Sequence, residues 1–296
     1  MGAVIIDGRA IAAAIDHETT VMLEEGRKGG RRACIGVVTV GSDPAAESYS
    51  RQKQRSAAKL GIDYKDIRLP AEEKGEGVLS AVLGIAHDDT VDAILVHTPL
   101  PRHCDERRIL DSIPGEKDVD CSGTCSMGRM YSGRQLFAPA TAEAVLEIMA
   151  RSGLSPQGKN VVVLGRSLVI GKPLATLLMA KGNRGDATVT VCHSKTRDIG
   201  SHTREADIIV AAIGVPGYVT REMVAPGTAV IDVGINTLPA PDAKGGYRLV
   251  GDVDFDAVKG VASAITPVPG GVGPVTTAVL MRNVARAFRR ELSTDN

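Results

Sequence analysis

Apolar residues along this chain recur in two alternating periods. Cys34-Ile-Gly-Val-Val-Thr-Val40 is a β-branched run of strand length. The polar stretch Glu47 to Leu60 behind it has helical spacing and stops at Gly61. Ile11 to Glu25 also reads as a helix, Ile62 to Leu69 as a weaker strand and Val78 to Ala86 as a helix. Val91 to Val96 is a strand ended by Pro99-Leu100-Pro101, and Asp105 to Ser112 is a short helix. Such a βαβαβ series predicts a parallel sheet with right-handed crossovers. From Cys121 to Pro139 the residues are Gly, Ser and other small polar types, which predicts loop. Helical spacing returns from Thr141 to Ser152, and a domain change is predicted there.

A second α/β series starts at Asn160. Its strands are Val161–Leu164, Thr188–Cys192, Ile208–Ala212 and Ala229–Val233. Gly165, Gly214 and Gly234 close three of them, so ligand-facing loops are expected at the carboxyl ends. After the loop Thr266-Pro-Val-Pro-Gly-Gly-Val-Gly-Pro274, Val275 to Glu291 form a helix long enough to pack back on the first domain.

Composition narrows the function classes. Thirty-five basic and 35 acidic residues cancel, which argues against a nucleic-acid or membrane-surface partner. The apolar runs are strand-sized, so no membrane span is expected. Met1 to Asp7 lacks the basic start and long apolar core of a secretory signal, and the five cysteines are odd in number and irregularly spaced. Reduced thiols in a cytoplasmic protein are the expectation. Cys104, Cys121 and Cys125 share a stretch with His97 and His103, but no Cys-x2-Cys or His-x3-His pair accompanies them, and no metal is expected. With no Trp and three Phe, the core must rest on Val, Ile, Leu and Ala.

Three groups of residues carry candidate chemistry. In Val161-Val-Val-Leu-Gly165-Arg166-Ser167-Leu-Val-Ile-Gly171, a strand, a tight turn and a helix N-terminus follow one another. That arrangement aims backbone N–H groups and a positive dipole end at a phosphate. Ser167 stands where the usual dinucleotide fingerprint has its second glycine. The next strand ends in Cys192-His193-Ser194-Lys195-Thr196-Arg197. Hydroxyls and cations there, in place of the usual acidic residue, suit a ribose 2′-phosphate and so NADP. In Tyr49-Ser-Arg-Gln-Lys53, a phenol and an amine share one helix face. They could do acid–base work if burial lowers the lysine pKa; a solvated basic face with Arg51, Arg55 and Lys59 is the other reading. Asp118 and Asp120 in Glu116-Lys-Asp-Val-Asp120 are candidates to bind a guanidine-like edge, or plain turn residues.

From about Ile6 to Phe288 these pieces resemble the bifunctional methylenetetrahydrofolate dehydrogenase/cyclohydrolase family. Tyr49-x3-Lys53 is similar to its catalytic Tyr–Lys helix, and Lys117-Asp-Val-Asp120 to the run whose last Asp binds the pterin. Gly165-Arg-Ser167, Cys192-His-Ser194 and Val230-Ile-Asp-Val-Gly-Ile235-Asn236 are similar to its NADP contacts, and Thr266 to Pro274 to a loop along the folate side.

The resemblance implies an α/β fold of two domains facing across a cleft. A folate-side catalytic domain would cover residues 1–140 plus 275–296, and a Rossmann-like NADP-binding domain residues 141–274. It implies a homodimer acting on tetrahydrofolate one-carbon derivatives, with methylenetetrahydrofolate oxidised by NADP and the methenyl product hydrolysed. Lys53, Tyr49, Asp120 and His97 would be catalytic. Val96, Thr98, Pro267, Val268, Pro269, Gly270 and Gly271 would join them against substrate. Gly165, Arg166, Ser167, Ser194, Lys195, Arg197 and Ile235 would hold the cofactor.

Departures from the family pattern fall on the folate side. His97 replaces a glutamine that sits beside the lysine, Cys121 replaces a glycine, and Pro139-Ala140-Thr141-Ala142 replaces a Pro-Cys-Thr-Pro segment. A neutral His97 would accept from the Lys53 ammonium, whereas an imidazolium would repel it. Dehydrogenase activity is therefore expected to be retained with the hydrolytic step weak, absent or unusually pH-dependent, or else both activities persist. A diverged paralogue acting on a modified pterin carrier and a non-catalytic nucleotide- or folate-binding protein are the other readings.

Overall fold

The computed structural model describes residues 2–26, 30–41, 44–240 and 246–289, apart from the side chains of residues 44–49. Its elements run β1 (Val4–Ile5), α1 (Gly8–Gly26), β2 (Cys34–Val40), α2 (Pro44–Leu60), β3 (Asp63–Leu69), α3 (Gly75–Ala86) and β4 (Ala93–Val96). Then come α4 (Glu106–Asp111), α5 (Thr124–Tyr131), α6 (Ala140–Arg151), β5 (Asn160–Leu164), α7 (Gly171–Met179), β6 (Thr188–Cys192), α8 (Ile199–Arg204) and β7 (Ile208–Ala211). The last are β8 (Ala229–Asp232), β9 (Asn236–Pro239), β10 (Tyr247–Val250), α9 (Phe255–Val258), β11 (Ala264–Ile265) and α10 (Val272–Arg289). The chain divides into two compact units, Ala13–Ala140 with Thr277–Asn296, and Met1–Ala12 with Thr141–Thr276.

The first unit is built on a three-stranded parallel sheet in the order β3-β2-β4. Central β2 is buried on both faces, with Ile35, Val37 and Val38 inaccessible, which is why it reads as an unbroken apolar run. On one face Val38, Ile94 and Val96 join Val78, Val82 and Ile85 of α3 and Ile109 and Leu110 of α4 in a single core. Edge strand β3 carries more exposed side chains, hence its weaker pattern. On α2, Ser50, Ala57 and Leu60 are buried while Arg51, Arg55 and Lys59 are exposed. Lys53 lies between Ser50 and Ala57 on that inner stripe and is only partly exposed. The structure therefore rejects a wholly solvated basic face at this position.

The second unit holds a six-stranded parallel sheet in the order β1-β11-β8-β7-β5-β6. Successive strands β5, β6 and β7 place β6 on one side of β5 and β7 on the other. The winding reverses at β5, and in such sheets the ligand crevice opens outside the carboxyl ends at that point. Leu164 aligns with both Cys192 and Ala211, and Ala211 with Asp232, so four strands end in one row.

Three differences from the expected elements have local causes. The first twelve residues, placed by sequence with residues 13–140, are built into the other unit. There Val4 and Ile5 pair with Ala264 and Ile265 at the sheet edge. A strand two residues long carries no period to read. Within the expected loop from Cys121 to Pro139, Thr124–Tyr131 is a helix whose one buried side chain is Met130, too little for an amphipathic stripe. The hairpin β9–β10 pairs antiparallel and has no apolar run long enough to announce it. At the C-terminus, α10 is described to Arg289, and Arg290 and Glu291 of the expected helix lie outside the described residues. In the first unit, Asn283 Nδ2 donates to the Val119 carbonyl at 2.9 Å and Arg286 Nη2 to the Leu136 carbonyl at 3.2 Å.

Two glycines separate backbone permissiveness from close packing. A Cβ on Gly171, the first residue of α7, would overlap the Gly165 carbonyl, whereas a Cβ on Gly84 inside α3 would meet nothing within 4 Å. Gly171→Ala should lower stability by about 2–4 kcal/mol, because helix and turn must separate. Gly84→Ala should raise it by about 0.5–1 kcal/mol through helix propensity. Urea midpoints measure both, and equal shifts would contradict this packing.

Candidate functional site

Loops from the carboxyl row of the six-stranded sheet form one candidate surface. Gly165 follows β5 with φ of 129°, a conformation L side chains rarely adopt. A Cβ there would overlap the Ala212 carbonyl oxygen behind β7. Together with Gly171 this leaves a bare backbone turn at the N-terminus of a nine-residue helix, a cradle that fits a phosphate-bearing nucleotide. The Ser167 hydroxyl accepts from the Ile170 N–H at 3.2 Å, so it braces the turn from within. Arg166 and Ser167 are exposed beside it, as are Ser194, Lys195 and Arg197 in the loop after β6 and Ile235 after β8. In that loop the Lys195 N–H donates to His193 Nδ1 at 3.1 Å, and the His193 N–H donates to Thr196 Oγ1 at 3.0 Å.

Two interlocked buried carboxylates fix the remaining loops. Asp232 at the end of β8 accepts from the N–H groups of Gly234, Asp252 and Val253, each at 3.0 Å. Asp252 accepts from the N–H groups of Ile213 at 2.7 Å and Gly214 at 2.8 Å, and from Asn236 Nδ2 at 2.8 Å. The loops after β7 and β8 are thus tied to one another through Asp252. A Cβ on Gly234 would overlap the Asp252 carboxylate, and one on Gly251 the Asp232 carboxylate. Burial outweighs the three N–H bonds and pushes the Asp232 carboxyl up to about 6.

On the first unit, helix α2 and the row after β4 bring a second set together. Lys53 Nζ stands 3.2 Å from His97 Nε2, and Thr39 Oγ1 stands 3.0 Å from His97 Nδ1. Register explains the second contact: Val38 aligns with Val96, so the next residues of β2 and of the chain leaving β4 are neighbours. Burial holds the Lys53 ammonium below its usual pKa, and the Asp120 charge opposes that. Burial, and then the Lys53 charge, lower His97 to about 4, so its ring is neutral at neutral pH. An imidazolium partner for Lys53 is thereby excluded under those conditions.

Asp120 accepts from the Ala140 N–H at the start of α6 at 2.7 Å. Burial nevertheless raises its carboxyl to about 6. Asp118 is a turn residue: it accepts from the Ser122 N–H and hydroxyl and from the Gly123 N–H. Cys121 is buried with φ of 51°, and burial pushes its thiol up to about 12. Its left-handed backbone is one that glycine adopts at no cost.

Lys53, His97 and Asp120 are therefore gathered on one unit, with buried Val96 and exposed Thr98 adjoining. The Tyr49 side chain lies outside the described residues. Pro267, Val268, Pro269, Gly270 and Gly271 belong to the other unit, so the expected substrate residues divide between the two. Among the described residues no three His, Cys, Asp or Glu side chains converge as a metal site, and no helix is long and apolar enough to cross a membrane. Sequence reasoning missed Thr39, Asp232 and Asp252 as individual residues. An Asp closing the otherwise apolar run Ala229-Val-Ile-Asp232 was the available signal.

Comparison with known proteins gives a consistent result over nearly the whole chain. Residues 6–120 match the tetrahydrofolate dehydrogenase/cyclohydrolase catalytic domain, and residues 139–292 the NAD(P)-binding domain of the same family. A bifunctional protein FolD from Methanoculleus marisnigri is 45% identical over 96% of this chain and 96% of its own. One from Chlorobium phaeobacteroides is 43% identical over 97% and 98%. The solved Trypanosoma brucei methylenetetrahydrofolate dehydrogenase-cyclohydrolase, complexed with NADP and an inhibitor, is 41% identical with a TM-score of 0.93 over 99% of this chain and 100% of its own.

The lowered His97 pKa makes a stability prediction. With a folded value near 4 against 6.5 unfolded, the ring favours the folded state above pH 6.5, and that contribution is lost as pH falls toward 4. Asp120 and Asp232, raised to about 6, contribute in the opposite sense over much of the same window. Replacing His97 by Gln isolates its part. The wild-type advantage over His97→Gln should shrink by about 1–2 kcal/mol between pH 7 and pH 4, less than the full shift because the ring is partly exposed. Urea titrations across that range measure it, and a constant difference would contradict the assignment.

Proposed function

The chain belongs to the tetrahydrofolate dehydrogenase/cyclohydrolase family, and we propose that it oxidises 5,10-methylenetetrahydrofolate with NADP and hydrolyses the methenyl product to 10-formyltetrahydrofolate. The observation that carries this reading is the Lys53–His97 pair at 3.2 Å, with the charge of Asp120 acting on the lysine. A half-buried lysine beside a neutral imidazole is a costly arrangement for a protein that only binds its ligand. It disfavours the non-catalytic alternative.

NADP, when bound, accepts the hydride from the methylene carbon. The protein's own residues position and exclude. Gly165 and Gly171 keep side chains away from the turn at the N-terminus of α7, so the pyrophosphate meets backbone N–H groups and the helix dipole. Arg166 and Ser167 flank it. Exposed Ser194, Lys195 and Arg197 would take the 2′-phosphate, while the next residue, Asp198, accepts from the Ser201 N–H at 3.1 Å as the N-cap of α8. Ile235 offers an apolar surface at the same edge.

Asp120 anchors the pterin edge. Its carboxyl is held in place by the Ala140 N–H and titrates near 6, so it accepts hydrogen bonds as an anion above that pH. Lys53 handles protons during ring opening, with Tyr49 orienting substrate. His97 fills the place of a hydrogen-bond partner to Lys53 as a neutral acceptor, which preserves the hydrolytic step. Val96 and Thr98, and the loop Pro267, Val268, Pro269, Gly270 and Gly271, complete the substrate contacts. The working form on this reading is a cytoplasmic homodimer; five free thiols suit a reducing compartment, and light scattering would give twice the chain mass.

Lys53→Gln tests the central role. Hydrolysis of methenyltetrahydrofolate should fall by about 10²–10⁴-fold, because a positioned acid–base group is lost. NADP reduction by methylenetetrahydrofolate should fall far less, since that step needs positioning. Retained hydrolysis in the variant contradicts the assignment, and absence of NADP reduction by the wild type contradicts the function.

A further inference from the structure

Thr39 lies behind His97 on the side away from Lys53. Its Oγ1 is 3.0 Å from Nδ1, while Nε2 on the opposite edge of the ring faces Lys53 Nζ at 3.2 Å. A neutral imidazole carries one proton for its two nitrogens. If Lys53 is an ammonium, it can only donate, so Nε2 must be the bare nitrogen and Nδ1 the protonated one. Thr39 then accepts from Nδ1–H. The His97 N–H donates to the Val38 carbonyl at 2.9 Å, which fixes the backbone from which the ring projects. With Thr39 on central strand β2 and His97 leaving β4, sheet register makes the two residues neighbours.

We infer that Thr39 is a positioning residue for the lysine: by accepting from Nδ1–H it satisfies the proton that the Lys53 ammonium drives to that nitrogen, supports the Nδ1–H tautomer and keeps the Nε2 lone pair aimed at Lys53 Nζ. This deepens the proposed function and rests on its assignment of proton handling to Lys53. The opposite tautomer would set an N–H against the ammonium, donor against donor, and favour the neutral amine. Several described groups act on this arrangement. Lys53 of α2 and Asp66 and Arg68 of β3 act on His97, and Asp120 acts on Lys53. Asp66 and Arg68 pair with each other at 2.8 Å and act on the ring in opposite directions, Asp66 raising and Arg68 lowering its pKa. Among the described residues, Lys53 and Thr39 are the polar side chains at the two ring nitrogens.

Thr39→Val keeps the shape and strand propensity of the side chain and removes the hydroxyl. Imidazole 15N chemical shifts of His97 in the substrate-free protein should read Nδ1–H in the wild type and a tautomer mixture in Thr39→Val. The lysine-dependent limb of the hydrolysis pH–rate profile should move about half to one unit toward lower pH in Thr39→Val, in the direction of a neutral amine. The rate of NADP reduction at saturating substrate should change less than about twofold, and Thr39→Ser should restore both wild-type readings. A wild-type Nε2–H tautomer overturns the proposal. So does an unchanged tautomer in Thr39→Val, or a changed tautomer with an unchanged pH profile. The tautomer is read without substrate, so failure of the proposed function, seen as undiminished hydrolysis in Lys53→Gln, is distinguishable from failure of this one.

Discussion

Lys53 shares the inner stripe of α2 with Ser50, Ala57 and Leu60, and drawing its ammonium partly out of water constrains everything near it. A desolvated ammonium favours its neutral form, which is useful for chemistry and harmful to stability. The chain answers with two partners of different kinds. Asp120 contributes a charge that supports the ammonium, and His97 contributes a neutral acceptor 3.2 Å away. Each is itself perturbed by burial, the carboxyl upward and the imidazole downward. Lys53 and Asp120 thus move toward neutral pH from opposite sides, which suits acid–base work there, while His97 moves away from it and stays a neutral acceptor.

The six-stranded unit solves a different problem, that of presenting backbone to a ligand. Loops at the carboxyl row must stay fixed with few side chains of their own in the way. Glycine supplies the space at residues 165 and 171, and buried carboxylates supply the rigidity. Asp252 alone accepts from two backbone N–H groups after β7 and the Asn236 amide after β8. Removing such an acceptor would leave buried donors unpaired at about 1–3 kcal/mol each. Glycines 234 and 251 lie so close to these carboxylates that no side chain can replace either hydrogen. One unit thus tunes side-chain protonation, and the other fixes main-chain geometry.

Long periodic segments were readable from the sequence because burial imposes their pattern. β2, β4, β5 and β7 are apolar runs since both faces are covered, and α6 and α10 carry clear stripes. β1, β11 and the β9–β10 hairpin escaped because two to four residues hold no period. Dinucleotide chemistry was visible in Gly165, Ser167 and Gly171, since a turn of this kind is local. Lys53 was ambiguous by its charged neighbours, although Ser50, Ala57 and Leu60 marked its face as the inner one. Thr39 could not be found from sequence at all. Its contact with His97 depends on parallel register between strands 58 residues apart, which no local pattern records.

Deuterium separates hydride transfer from hydrolysis. With methylenetetrahydrofolate carrying two deuterons on its bridging carbon, one should appear in reduced NADP and the other should stay on the carbon through methenyl to formyl product. The same label should transfer poorly to NAD, which has no 2′-phosphate for Ser194, Lys195 and Arg197. Reduced nucleotide without deuterium, or equal transfer to NAD and NADP, would contradict the proposed reaction.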